Sequence, residues 1–147
     1  MKAVIQRVSR AEVRVDGVTI GKINRGYTVL LGIAKGDQDK DLSWIVDKIC
    51  NLRVFPNDSG KFDKSLLDIK GEVLLVSQFT LFGDCRKGRR PGFDSAAPPE
   101  VAIPFYEKSI SLFKAKGVKT ECGRFAAMME VDLVNDGPVT LILDSNQ

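Results

Sequence analysis

EVLLVSQFTLF, residues 72–82, is the stretch that decides the predicted fold. Its first half is an aliphatic run of a kind typical of a strand buried on both faces. Three polar residues, Ser77, Gln78 and Thr80, come at the end of that run. A buried polar group without a partner costs about 1–3 kcal/mol, so these side chains need partners in the protein or in a ligand. Two interpretations stay open, a strand end bonded to neighbouring backbone and a binding site.

Strand patterns fill the chain on both sides of this stretch. Residues 4–15 are apolar in alternation with one change of phase, as in a long strand with a bulge, and Asp16-Gly17 predicts a hairpin turn. Residues 27–34 (YTVLLGIA) predict a central strand. Toward the C-terminus, NDGP at residues 135–138 predicts a turn before a closing strand at residues 139–143.

Two further segments have helical spacing. The apolar residues within 42–52 follow Asp residues suited to a helix N-terminus, and residues 99–116 present a broad apolar face that stops at Gly117. No linker or repeat divides the chain, so residues 1–147 are predicted to form one domain. We therefore predict an α/β fold in which two helices cover a mostly antiparallel, strongly curved sheet or open barrel.

The composition is that of an ordinary globular domain. Hydrophobic residues make up 44% of the 147 positions and charged residues 28%. No stretch approaches the roughly 20 apolar residues of a membrane span, and residues 1–10 (MKAVIQRVSR) are unlike a signal peptide, so we expect a cytoplasmic protein that binds no membrane. The three cysteines lack any C-x-x-C spacing, and neither a disulfide framework nor a zinc site is predicted.

The count that most restricts the chemistry is that of histidine, which is zero. This count excludes Ser-His and Cys-His nucleophile pairs and imidazole general bases, and it removes nearly all familiar catalytic zinc sites. Any catalysis must then use carboxylates, lysines, backbone amides or groups of the substrate itself. We predict no metal and no cofactor.

A Gly- and Pro-punctuated segment at residues 83–99, which we call the basic loop, is the strongest nucleic-acid feature. Its cations are Arg86, Lys87, Arg89 and Arg90. Guanidinium groups pair with phosphates whatever the base sequence, so these residues are candidates for contact with an RNA backbone. A solvated surface loop is the alternative, because a net charge of +3 does not require a polyanionic partner.

The dipeptide Gly137-Pro138, here the Gly-Pro segment, is a candidate of another kind. A cis X-Pro bond occurs in about 5–6% of cases in folded proteins and is then a conserved feature of the backbone. A cis bond at this position would direct two successive carbonyl oxygens the same way, as fixed acceptors that need no side chain. An ordinary trans turn is the alternative that the residues leave open.

Two motifs, SQFTL at residues 77–81 and NDGPVT at residues 135–140, resemble those of the D-aminoacyl-tRNA deacylases. The similarity runs through the whole chain, in VIQRVSRAEVRVDG at residues 4–17, KGRRPGF at residues 87–93 and LDS at residues 143–145. The resemblance implies a homodimer whose partner is tRNA. Such an enzyme hydrolyses the ester between a D-amino acid, or glycine, and the terminal adenosine, and it rejects L-aminoacyl-tRNA.

The resemblance also implies roles for individual residues. The pocket floor and its catalytic groups would come from Ser77, Gln78, Phe79 and Thr80. Substrate binding and chirality screening would involve Gly137, Pro138, Arg7, Phe125 and Met129. In such a dimer the Gly-Pro segment is cis, enters the partner's pocket and blocks the side chain of an L-amino acid. Arg7 would restrain that segment, and Phe125 and Met129 would lie near the adenosine and the pocket wall.

The family's mechanism is described as relying on backbone groups and on the ribose 2′-hydroxyl of the substrate, which suits a chain without histidine. We expect the backbone N–H of Thr80 to contribute to an oxyanion hole and its hydroxyl to be dispensable. The alternative is Thr80 as nucleophile, although no base for it is visible in the sequence. A non-catalytic RNA-binding module and a structural dimer are the other functions that stay open.

Overall fold

The computed structural model describes residues 1–147 and confirms the predicted class, a strongly curved sheet with two covering α-helices. The elements, in chain order, are β1 (Lys2–Val15), β2 (Val18–Ile23), β3 (Gly26–Gly32), α1 (Asp39–Asn51), β4 (Phe55–Pro56), β5 (Phe62–Lys64), β6 (Glu72–Ser77), a 3₁₀ helix (Phe79–Phe82), α2 (Pro99–Ala115), β7 (Lys119–Cys122) and β8 (Glu130–Asp144). Neither α-helix has the length and apolar character needed to cross a membrane.

Strand β1 is the centre of the sheet. Along one edge it pairs first with β3 and then with β2, and along the other edge it pairs with β8 over almost its whole length, always antiparallel. Because β2 and β3 share one edge of a single long strand, the sheet bends between them. Gly21 of β2 then comes close to β7, where an added Cβ would lie 3.1 Å from the carbonyl oxygen of Cys122. The sheet is therefore a nearly closed barrel.

Strand β6 lies between β3 and β7 and runs parallel to both. Parallel neighbours need long crossover connections, and these connections carry α1 and α2 across one face of the sheet. Ile45 and Ile49 of α1 and Phe113 of α2 join Val29 of β3 in a cluster of 22 buried residues. The four central residues of β6 are thus buried, and the strand ends at the partly buried Ser77, where the polar part of the motif begins.

The predicted turn at residues 135–138 is not a chain reversal. Both halves of β8 pair with β1, since Gln6 lies opposite Thr140 and Val8 opposite Asn135. From one of these pairs to the other, β1 advances by two residues and β8 by five. The three extra residues of β8 make the turn-forming segment a large bulge in the strand. The phase change in the middle of β1 lies at the same level, where Arg7 and Val8 are both buried. The Gly137-Pro138 bond within the bulge is cis, as predicted.

We expect the contact between β3 and β6 to tolerate no side chain at Gly26. An added Cβ would lie 2.6 Å from Glu72 N and closer still to the Glu72 carbonyl oxygen, and neither backbone atom can move without separating the strands. Gly26→Ala should lower the free energy of unfolding by about 3 kcal/mol or more, measured by urea denaturation. Gly92→Ala is the control, because the nearest atom there is Asp94 Oδ2 at 4.0 Å. Equal stabilities would contradict this account of the strand contact.

Candidate active site

The SQFTL motif marks the place where β6 stops and the backbone opens. Gln78 N–H still donates to Leu31 O at 2.8 Å, as a last contact with β3, and the chain then turns into the 3₁₀ helix. The strand therefore ends at Ser77, and its alternation of side chains does not continue through the rest of the motif. Phe79 and Thr80 are exposed, and the Gln78 side-chain amide donates to Thr80 Oγ1.

The turn begins with two main-chain donors that have no acceptor within the 3₁₀ helix. The hydrogen bonds of the 3₁₀ helix begin with Leu81 N–H to Gln78 O at 3.2 Å and continue with Gly83 N–H to Thr80 O at 3.0 Å. The N–H groups of Phe79 and Thr80 open the 3₁₀ helix, so they have no intrahelical partner, and neither donates to a side chain or to a loop carbonyl of the chain. Adjacent free N–H groups at a fixed backbone turn are suited to bind a carbonyl oxygen or an oxyanion.

Gly32 of β3 allows the 3₁₀ helix to pack closely against the strand, a role that the sequence analysis did not predict. An added Cβ at Gly32 would lie 3.0 Å from Gln78 O, 3.1 Å from Phe82 Cε2 and 3.2 Å from Leu81 Cβ. The missing side chain lets the 3₁₀ helix sit directly on β3. A glycine inside an otherwise apolar strand pattern is the sequence signal for such a close backbone approach.

Phe125 and Met129 lie beside the same strand end. The segment before Phe125 is tied to β6, because Gly123 N–H donates to Leu75 O at 2.9 Å and the Tyr106 hydroxyl lies 3.0 Å from the carbonyl oxygens of both Leu75 and Gly123. The rings of Tyr106 and Phe125 are 5.9 Å apart. Met129 is partly buried and packs against the smaller buried cluster that contains Val76. The structure thus brings both predicted residues to the end of β6.

The basic loop forms one wall of an open cleft of about 1160 Å³ next to the 3₁₀ helix. Asp84 and Gly92 close the loop with two backbone hydrogen bonds of 2.7 and 2.9 Å. Phe93 packs edge-on against Phe79, with ring centroids 5.1 Å apart, and connects the loop to the strand end. The side chains that line the cleft include Lys2, Leu81, Phe82, Arg86, Lys87 and Arg90.

The four cations of the basic loop are not equivalent. Arg86 makes a bidentate ion pair with Asp84, with Nε–Oδ1 and Nη2–Oδ2 distances of 2.9 and 2.7 Å. The Arg86 side chain, and then its backbone N–H, lower the pKa of the Asp84 carboxyl. Lys87, Arg89 and Arg90 form no ion pair within the chain. The positive charge available to an anionic ligand therefore comes from these three residues.

The Gly-Pro segment is held by Arg7. Arg7 is 7% exposed, and its Nε donates to Asp136 O at 3.0 Å. Its Nη2 lies so close to Gly137 that an added Cβ there would be 2.9 Å away. Arg7 therefore contacts the Gly-Pro segment, which is the segment that the family resemblance expects Arg7 to restrain.

Within one chain the Gly-Pro segment and the SQFTL turn are far apart. Arg7 is level with Tyr27 and Val73, whereas Ser77 is level with Leu31, four residues further along. This corresponds to roughly 13 Å along the strands and roughly 14 Å across the three strand spacings from β8 to β6. The segment thus cannot close over the free N–H groups of its own chain.

The site as a whole belongs to a recognisable class. Free main-chain donors, a cationic cleft and a chain without histidine define a site that can stabilise an oxyanion on a polyanionic substrate without imidazole chemistry. A family model described as D-Tyr-tRNA(Tyr) deacylase matches residues 4–144, and the chain belongs to this family.

Related proteins are similar in sequence to this chain over nearly its full length. A D-aminoacyl-tRNA deacylase of Geotalea uraniireducens (strain Rf4) is 58% identical over 145 residues, 99% of this chain and 94% of the relative. One of Thermosipho africanus (strain TCF52B) is 54% identical over 147 residues, 100% of this chain and 99% of the relative. A solved structure, the c-Myc DNA Unwinding Element Binding Protein, superposes with a TM-score of 0.91 at 47% identity and covers 98% of both chains.

The ion pair in the basic loop predicts a measurable titration. Arg86→Ser should raise the pKa of the Asp84 carboxyl toward its usual value, because the largest cause of its low pKa is removed. A ¹³C NMR pH titration of the Asp84 carboxyl carbon measures this change. Arg89→Ser is the control and should leave the Asp84 titration where it was. An unchanged pKa in Arg86→Ser would mean that the pair does not form in solution.

Proposed function

We propose that this protein hydrolyses the ester bond between a D-amino acid and the terminal adenosine of tRNA, and so removes mischarged D-amino acids before translation. The observation that carries the proposal is the pair of N–H groups at Phe79 and Thr80 that open the 3₁₀ helix, beside a basic loop in which Lys87, Arg89 and Arg90 form no ion pair. The names of the full-length relatives support the same activity. A tRNA substrate is also the reason to expect the protein in the cytoplasm.

The chemistry of the proposed reaction uses the backbone. A water molecule attacks the ester carbonyl carbon and places negative charge on the carbonyl oxygen, and the N–H groups of Phe79 and Thr80 can donate to that oxygen together. Collapse of this intermediate breaks the carbon–oxygen bond to the terminal ribose, and the ribose oxygen leaves as a hydroxyl with a proton that comes from the attacking water. A fixed backbone donor needs no reorganisation during the reaction. One such donor is typically worth about 2.7–4 kcal/mol in the transition state. The ribose 2′-hydroxyl of the substrate assists the attacking group, and the Thr80 hydroxyl, an acceptor for the Gln78 amide, is not the nucleophile.

The basic loop supplies affinity for tRNA and no chemistry. Lys87, Arg89 and Arg90 are free to pair with phosphates of the acceptor end, whereas Arg86 shapes the loop through Asp84. Such contacts carry no base information, so tRNAs of any identity can bind. Phe125 and Met129, beside the strand end, line the wall for the terminal nucleoside and the amino acid.

The proposed active unit is a homodimer. β8 pairs only with β1, which leaves its second edge open, and Val131, Val134 and Ile142 of β8 are 37%, 40% and 75% exposed. Long open edges and exposed apolar residues favour association with another chain. A second copy can bring the Gly-Pro segment to the SQFTL turn, a position that the segment cannot reach within its own chain.

In this dimer the Gly-Pro segment of the partner subunit is the chirality filter. Its backbone occupies the space that the side chain of an L-amino acid needs, while a D-side chain points elsewhere. Rejection is then steric, and the filter makes no attractive contact that identifies the D-enantiomer. A substrate with no side chain cannot be rejected by shape, so glycyl-tRNA should also be hydrolysed.

The activity is tested by incubating the protein with D-tyrosyl-tRNA, L-tyrosyl-tRNA and glycyl-tRNA and measuring free amino acid. We expect rapid turnover of the D-substrate and the glycyl substrate and only a slow residual turnover of the L-substrate, measurable at high enzyme concentration. Salt-sensitive tRNA binding without any turnover would favour a nucleic-acid-binding protein, in line with the name of the solved relative. Strict refusal of glycyl-tRNA at high enzyme concentration would contradict the steric filter.

The role of Thr80 is tested in single-turnover deacylation. Thr80→Ala should retain most of the rate, since the backbone N–H of residue 80 remains. A D-aminoacyl-tRNA ending in 2′-deoxyadenosine should lose more rate with the unaltered enzyme, because the assisting hydroxyl is missing. Full activity on the deoxy substrate, with none from Thr80→Ala, would restore Thr80 as the nucleophile.

The dimer is tested by sedimentation velocity. Ile142→Asp puts a charge on the exposed face of β8 and should shift the protein to monomers that have lost deacylase activity. Val101→Asp, at a 39% exposed position on α2, is the matched control and should remain dimeric and active. An active Ile142→Asp monomer would show that one chain suffices.

A further inference from the structure

The small hairpin formed by β4 and β5 has no place in the main sheet. Its two strands pair only with each other, between Phe55 and Lys64 and between Pro56 and Phe62. Phe55 anchors the hairpin from inside, fully buried, with its ring 5.0 Å from that of Tyr27. The rest of the hairpin is on the surface, and the sequence suggests no function for it.

The hairpin meets the buried guanidinium of Arg7 at two points. Arg7 Nη1 donates to Val54 O at 2.6 Å, immediately before β4, and the Phe62 ring of β5 lies 5.5 Å from the guanidinium carbon. The same guanidinium donates from Nε to Asp136 O, beside Gly137. One planar group therefore connects the hairpin to the Gly-Pro segment.

The hairpin is built to be rigid. Arg53 Nε donates to Asp63 O at 2.6 Å, and the Arg53 guanidinium pairs with the Asp63 carboxylate. Asn57 Oδ1 accepts hydrogen bonds from three donors of the turn, at 2.7 to 3.1 Å. A surface excursion with this many internal bonds can hold Val54 and Phe62 at constant positions.

Phe62 is the unexplained residue in this arrangement. Its side chain stays 59% exposed, so burial of apolar surface does not account for it. Its ring does provide a π-face for the Arg7 guanidinium, and a cation–π contact fixes the tilt of the planar group as well as its position. The hydrogen bonds to Val54 O and Asp136 O then hold the plane at two further points.

We propose that the β4–β5 hairpin is a clamp that sets the position of the Gly-Pro segment through Arg7, with Phe62 as the positioning residue. The inference rests on the proposed function of the segment as a chirality filter. A steric filter discriminates by displacements of about 1 Å, the scale on which misplacement changes rates strongly. Loss of the Phe62 ring lets the guanidinium tilt, the segment gains freedom, and the L-enantiomer is admitted more often.

The test measures the ratio of kcat/KM for L-tyrosyl-tRNA to that for D-tyrosyl-tRNA. Phe62→Leu keeps an apolar side chain without a π-face and should raise this ratio about threefold to tenfold, the range expected for loss of a partly exposed cation–π contact. Phe62→Trp keeps a π-face and should leave the ratio near that of the unaltered protein. Lys61→Ala, on the same hairpin turn, is the control and should also leave it unchanged.

A double-mutant cycle shows whether Phe62 acts through Arg7. Arg7→Lys removes the planar group, so Phe62→Leu should have no further effect on the ratio in that background. Additive effects, or an unchanged ratio in a folded, dimeric Phe62→Leu protein, would overturn the clamp. Failure of the proposed function is a separate outcome, because the unaltered protein would then release no D-tyrosine from its tRNA in the first place.

Discussion

The pairing of β1 along both of its edges is the constraint on which the rest of the structure depends. β3 and β2 divide one edge, and β8 occupies the other, so the sheet must curve and β1 must change phase near its middle. The phase change places Arg7 on the buried side, opposite the bulge in β8. A single irregularity in strand pairing thus positions both the guanidinium and the Gly-Pro segment that it contacts.

The second requirement is a parallel strand that stops abruptly. β6 is buried between β3 and β7, and its last hydrogen bond to β3 is that of Gln78. Beyond this point Phe79 and Thr80 open a 3₁₀ helix, so their N–H groups have no intrahelical acceptor. Gly32 permits the close approach of the following turn. The proposed catalytic groups are therefore a product of strand termination and need no ionisable side chain.

The role of each arginine in this protein depends on whether it is already paired within the chain. Arg7 is buried, donates to two backbone carbonyls and lies 3.5 Å from the Asp136 carboxylate. Arg86 is paired with Asp84, so only part of the basic loop remains free for an anionic ligand. A formal count of basic residues would treat all of them alike. Because an arginine already paired with a carboxylate contributes little to phosphate binding, the paired and free residues of the loop have different roles.

The sequence by itself determined the curved α/β class, both helices, the strand that ends in SQFTL and, through the absence of histidine, the kind of chemistry to consider. The residues left the Gly137-Pro138 bond open between cis and trans, and only the motif resemblance favoured cis. These features depend on local periodicity, on residue type and on motif resemblance. Only the tertiary structure decided that residues 135–138 form a bulge, that Arg86 is paired, and that Arg7 joins Val54 to Asp136. Such contacts join residues far apart in the chain, so they depend on strand register and packing, which no local pattern encodes.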